Sequence, residues 1–230
     1  MSSNKKVIFC KKCVESNQRF LGSITHNDKK SERKTLISFN DEGIDELIFM
    51  DCVATLYGRN NLKNIIFDAT KEIFIPITVG GGIRNLDDAK EIFNSGADKI
   101  AINSQAIKHP EFLTELAKIY GSQSIVVSVE AKKKGDRWKA YITNGRDQTE
   151  IDVCEWVKKV ETLGAGEILL TSIDNEGTAK GLDLELCQKV NDICNIPIIL
   201  SGGIGNLDHI KKVKKIINVD AIAVSHMIHY

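Results

Sequence analysis

From Gly43 onward, short apolar runs alternate with longer stretches in which apolar residues recur every three or four positions. Runs of nearly continuous Ile, Leu and Val fit strands covered on both faces, and the periodic stretches fit helices with one buried face. The runs predict strands at Glu46–Cys52, Ile75–Val79, Lys99–Asn103, Ile125–Glu130, Glu167–Ser172, Ile198–Ser201 and Ala221–Val224. Helices are predicted between them at Asn61–Ile73, Leu86–Ser95, Pro110–Tyr120, Asp152–Leu163, Asp183–Ile193 and Asp208–Ile217. Lys6–Cys10 (KVIFC) supplies an eighth strand. Strands alternating with helices build right-handed βαβ units and a parallel sheet. Eight of them predict one α/β domain over residues 1–230, a closed (β/α)8 barrel, with an open doubly wound sheet as the alternative. Residues 132–149 interrupt the alternation with two short runs around Asn144-Gly145, a hairpin on the loop after the fourth of the seven strands. A lid over the barrel and a plain excursion are both open readings of it.

The pattern also repeats. Residues 75–104 read IPITVGGGIRNLDDAKEIFNSGADKIAINS, and further on the chain reads IPIILSGGIGNLDHIKKVKKIINVDAIAVS. Pro76 and Pro197, Gly82 and Gly203, and Asn85 and Asn206 are each 121 residues apart (197 − 76, 203 − 82, 206 − 85). The same offset carries Glu46 onto Glu167, and a one-residue slip sets Asn103 opposite Ser225. Repetition on this scale predicts two like half-barrels, about 1–120 and 121–230. Glycines at a strand's carboxyl end let backbone N–H groups approach an anion. Two such turns predict two facing phosphate sites, and so a ligand with a phosphate at each end.

Composition narrows the function classes. The chain carries 31 basic and 31 acidic side chains, a balance that argues against a general nucleic-acid or membrane-surface binder. No apolar run reaches the roughly 18–20 residues of a membrane span, and MSSNKKVIF lacks a secretory core, so a cytoplasmic protein is expected. Six cysteines are scattered as in a reduced protein, except for Cys10-Lys11-Lys12-Cys13. A lone CxxC offers half a zinc site or a redox pair; with no second CxxC and only a remote His26, no metal is assigned.

DELIFMD, VGGGIRNLDDA, GADKIAINS, GSQSIVVSVEAK, QTEIDVCEWV, GAGEILLTSIDNEGT and SGGIGNLDH, in this order, resemble the cyclase subunit of imidazole glycerol phosphate synthase across about residues 43–229. The resemblance implies a (β/α)8 barrel of two halves with a bisphosphate across its top. It implies a heterodimer with a glutaminase at the strand N-terminal face, whose ammonia serves a combined ring-closing and lyase step, without a cofactor. Carried over, one phosphate would sit on Gly81, Gly82, Asn103 and Ser104, and the other on Gly177, Gly202, Gly203 and Ser225. Asp51, Thr171 and Ser201 match ligand-facing positions. Glu46, Lys99 and Glu167 match a charged gate at the barrel bottom, with Lys5 or Lys6 as a fourth member and Asp98 facing the glutaminase. An ordinary salt-bridge cluster closing the barrel base is the other reading of the trio.

Four features qualify the match. The family's paired acids stand at the ends of the first and fourth strands; here the fourth-strand position is Glu130, and the first falls on Lys11 or Lys12. CKKCVESNQR and TLISFNDEG resemble the start of N-acetyl-sugar amidotransferases, so residues 1–43 are a foreign segment or a divergent first βα unit. LYGRNNL (Leu56–Leu62) resembles a branch from surface-polysaccharide gene clusters. With these features, a non-catalytic subunit that channels ammonia to a sugar amidotransferase is the alternative function, and a related bisphosphate sugar isomerase is a third. Finally, the chain stops at Tyr230, where a closing helix would be expected to follow the eighth strand.

Overall fold

The computed structural model describes residues 6–13, 44–51, 62–71 and 73–225, with 6–13 and 62–65 as backbone only. In chain order the elements are β1 (Lys6–Cys13), β2 (Glu46–Asp51), α1 (Leu62–Ala69), β3 (Ile77–Gly80), α2 (Leu86–Asn94), β4 (Lys99–Ile102), α3 (Ser104–Lys108), α4 (Glu111–Tyr120) and β5 (Ile125–Lys134). They continue with β6 (Arg137–Ile142), β7 (Asp147–Asp152), α5 (Val153–Thr162), β8 (Glu167–Ser172), α6 (Leu184–Asn191), β9 (Ile198–Ser201), α7 (Leu207–Ile216) and β10 (Ala221–Val224).

Eight strands pair in parallel in the order β1-β2-β3-β4-β5-β8-β9-β10, and β10 returns to pair with β1. The ring is closed, so the barrel and not the open sheet is the architecture. Antiparallel β6 and β7 hang from β5 outside the ring. Along each ring strand, alternate side chains point outward to the helices or inward to the lumen. Leu47, Phe49, Ile100, Val127, Ile168 and Leu170 belong to the large outer core shared with the helices. Ile48, Ala101, Val126, Leu169, Ile199, Ala221 and Ala223 form a separate inner cluster. Burial on both sides explains why these strands read as unbroken apolar runs.

Matched residues of the repeat make matched contacts. Leu47 N–H donates to Pro76 O as Ile168 N–H does to Pro197 O. Asp98 accepts from Ile77 N–H at 2.8 Å, and Asp220 accepts from Ile198 N–H at 3.1 Å. Asn85 caps α2 through Asp88 N–H, and Asn206 caps α7 through His209 N–H.

Several boundaries differ from expectation. β1 runs three residues past Cys10, held by register with β2 as far as Cys13–Asp51. With β1 counted, the strand that carries Glu130 is the fifth of the ring, not the fourth. That strand also runs on to Lys134, because its outer half pairs with β6. α1 ends at Ala69, short of Ile73. The five-residue α3 is an addition that the periodicity of so short a segment does not reveal. The interruption at 132–149 is a hairpin, with its turn at Thr143–Arg146. Residues 14–43, 52–61 and 226–230 lie outside the described residues, as do the Leu56–Leu62 stretch up to Asn61, most of the amidotransferase-like segment and any final helix.

Candidate functional site

The lumen is layered. From strand start to strand end, the inward row reads Glu46–Ile48–Met50 on β2, Lys99–Ala101–Asn103 along and just past β4, Val126–Ser128–Glu130 on β5, and Glu167–Leu169–Thr171 on β8. The charged groups lie at the bottom, beside Val126; the middle is mainly apolar, with Ser128 its polar member; and the top is polar apart from Met50.

At the bottom, the Lys99 ammonium lies 2.7 Å from Glu167 Oε1 and 3.1 Å from Glu46 Oε2. Thr78 Oγ1 donates to Glu46 Oε1 at 2.9 Å. Glu46 is only 1% exposed, and Lys99 and Thr78 take the place of the water its carboxylate has lost. Burial pulls the Lys99 pKa down, but the hydrogen bond to Glu167 and the charges of both carboxylates outweigh it and leave it above the usual lysine value. The three predicted gate residues are therefore one ion cluster. Thr78, which the sequence reading missed, belongs with them; its parity with Gly80 on β3 was the available signal.

At the top, Glu130, Thr171 and Ser201 are buried and stand side by side on three adjacent strands, in the register Glu130–Thr171–Ser201. Glu130 Oε2 accepts from Asn103 Nδ2 at 3.0 Å and from Gly145 N–H at 2.7 Å. Asn103 Nδ2 also donates to Tyr141 O at 3.1 Å, and Thr143 N–H donates to Ser104 Oγ at 3.1 Å. The hairpin turn thus folds inward onto β4 and β5. Thr143 and Asn144 take left-handed backbone angles (φ 55° and 57°), which brings Gly145 N–H over the carboxylate. These contacts were not legible in sequence, because they join residues up to 39 positions apart.

The glycine turns need separate readings. At Gly81 (φ 101°) a Cβ would lie 2.2 Å from Asp51 O, and at Gly202 (φ 100°) 2.8 Å from Ser172 O. At Gly203 it would lie 2.3 Å from Gly181 O. Backbone crowding alone demands glycine at all three. Gly177 (φ 72°) has open space around it, and Gly82 also has positive φ (72°). Ser225 is exposed just after β10, and Asp51 is half-buried at the end of β2.

On β1 the register aligns position 12 with Met50 and position 11 with Phe49, so 12 belongs to the lumen row. By the same parity, position 6, in register with Ala221, belongs to that row too. Position 5 lies outside the described residues. Cys10 and Cys13 sit three extended residues apart, about 10 Å, rather than on the tight turn of a metal half-site. No His, Cys, Asp and Glu group fit for a metal occurs among the described residues. None of their helices is long and apolar enough to cross a membrane. A cleft of about 520 Å³ lined by Arg84, Asp87, Gln105, His109 and Glu115 among others shares only its neighbourhood, and none of its residues, with this site.

The family model described as "Histidine biosynthesis protein" matches residues 9–230. An imidazole glycerol phosphate synthase subunit HisF from Legionella pneumophila is 51% identical over 173 residues, 75% of this chain and 82% of that protein. The subunit of the same name from Clostridium botulinum (strain Okra / Type B1) is 44% identical over 194 residues, 84% of this chain and 77% of that protein. A closed parallel barrel, a match over nearly its whole length and relatives at this identity agree: the chain belongs to the histidine biosynthesis protein family.

Proposed function

We propose that the chain acts as a cyclase subunit of the imidazole glycerol phosphate synthase type. It receives ammonia from a glutaminase at the strand N-terminal face and uses it at the opposite end, in a ring-closing and lyase step on a phosphoribosyl bisphosphate. The layered lumen carries this reading: a charged cluster at one end, a mainly apolar interior, and a buried carboxylate beside polar groups at the other. An apolar middle suits passage of neutral ammonia and opposes ions. One phosphate is assigned to Gly81, Gly82, the backbone of Asn103 and Ser104, and the other to Gly177, Gly202, Gly203 and Ser225. Glu130 is assigned proton transfer, flanked by Thr171, Ser201 and Asp51. The relatives above carry the synthase name and none names a sugar amidotransferase, so the channelling role is not carried further.

Turnover by this chain is expected to be low. Position 12, in the lumen row of β1, is a lysine where the family resemblance calls for a carboxylate. Loss of one acid or base from such a pair costs about 10²–10⁴-fold. The test is turnover of the bisphosphate with ammonium salt in place of a glutaminase. Weak activity that Glu130→Gln abolishes and Lys12→Asp raises is the expected result; full activity retained in Glu130→Gln would refute the assignment.

Docking is tested at Asp98. Because Asp98 also holds Ile77 N–H, Asp98→Lys is compared with Asp220→Lys, which breaks the matching bond on the other half. Loss of glutaminase affinity in the first and not the second is expected.

A further inference from the structure

Asn103 is placed oddly for a phosphate ligand. Both protons of its Nδ2 are spent, one on Glu130 Oε2 at 3.0 Å and one on Tyr141 O at 3.1 Å. Both partners are acceptors, so the amide cannot be turned the other way without setting oxygen against oxygen. What remains is Oδ1, which is buried and has no hydrogen-bond partner. A phosphate offers only acceptors and gains nothing from it.

The residue also forgoes the bond its position offers. Among the described residues, three helices have an asparagine at the N-cap. Asn85 and Asn206 each accept from the backbone three residues on, whereas Asn103 makes no capping bond to α3. A capping bond stabilises the start of a helix, and a buried orphan acceptor is destabilising. The side chain is held in this disfavoured state by Glu130 and the hairpin. It stands directly above Ala101 and Lys99 in the lumen row of β4.

Building on the assignment of the barrel top as the reaction site, we propose that the Asn103 side chain is an acceptor for nitrogen, so that only the backbone of Asn103 is left to serve a phosphate. Its Oδ1 and the Glu130 carboxylate lie on bonded neighbours and together present two acceptors to one small N–H donor. Ammonia arriving from the lumen fits this pair, and an N–H of the bisphosphate itself shares the chemistry. Asn103 is then also a positioning residue, since its Nδ2 fixes the carboxylate that receives the proton.

The full chain is titrated with ammonium chloride while NMR reads the Gly145 amide and the Asn103 side-chain amide, with tetramethylammonium chloride as a cation without N–H. Calorimetry measures the affinities of the bisphosphate and of inorganic phosphate for the wild type and for Asn103→Leu. A saturable shift at the Gly145 amide with ammonium alone, lost in Asn103→Leu, with bisphosphate Kd changed less than about twofold, assigns the place to ammonia. A bisphosphate Kd weakened about fivefold in Asn103→Leu, with inorganic phosphate unaffected, assigns it to the substrate's own N–H. Weaker inorganic phosphate binding in Asn103→Leu, or no response in either arm, overturns the proposal. An ammonium response in a protein that binds no bisphosphate would sink the cyclase reading and leave this one standing.

Discussion

Gly81 and Gly177 both hold positive φ, yet a side chain would meet different things at each. Gly81→Ala would drive Cβ against Asp51 O, so it is expected to cost several kcal/mol, about the size of a severe core defect, whether or not a phosphate ever binds there. Gly177→Ala meets only the left-handed backbone strain, about 1–2 kcal/mol. Denaturant melts should separate the two. A loss of bisphosphate affinity in folded Gly177→Ala would then report on the ligand, which no variant at Gly81 can do cleanly. The described cysteines make a second residue-scale expectation. Burial pushes the Cys187 thiol up to about 12 and also raises Cys154 and Cys194. Thiolate is the reactive form, so all three should label slowly with thiol reagents at neutral pH and quickly only after unfolding.

The hairpin is the element that decides the shape of the site, and it is anchored far from its turn. Trp138 on β6 is buried, and its Nε1–H donates to Asp183 Oδ2 at 3.0 Å, while Asp183 Oδ1 caps α6. Lys133 and Lys189 lie 4.9 and 4.8 Å from the indole centroid, and both pair with Glu185. The exposed ion pairs add little, so the ring itself is the anchor. Trp138→Ala should cost about 3–5 kcal/mol, and Trp138→Phe about 1–3 kcal/mol through the orphaned Asp183 oxygen. Hydrogen exchange at Gly145 should quicken in both, because the turn over Glu130 depends on that anchor. Unchanged protection at Gly145 would show that the turn is held by Asn103 and Ser104 alone.

At the scale of the whole barrel, the Lys99 cluster ties β2, β4 and β8 together across the lumen. Lys99→Met leaves Glu46 buried opposite an apolar chain and should cost about 3–5 kcal/mol near neutral pH. The folded pKa of Lys99 is raised above 10.5. Its contribution is therefore full below pH 10.5 and is lost as pH climbs through the higher folded value. Stability curves of wild type and Lys99→Met should run parallel from pH 7 to 10 and converge above pH 10.5. Convergence at acid pH instead would point to the carboxylates.

The eight strands, their order and the doubling of the glycine turns followed from the sequence, because strand runs, glycines and the 121-residue offset are local or repeated signals. Glu130 and the Glu46–Lys99–Glu167 cluster could be chosen from matched positions alone. Their surroundings could not. Periodicity assigns a face, not a partner, so the Asn103–Glu130 bond, the inward fold of the hairpin and the lumen row of position 12 were decided by ring closure and strand register. Glycine at 81, 202 and 203 reads in sequence as room for a phosphate; in three dimensions a neighbouring carbonyl already requires it. Local pattern determined the barrel, and contacts between distant strands decided which polar atoms are spent and which remain for a ligand.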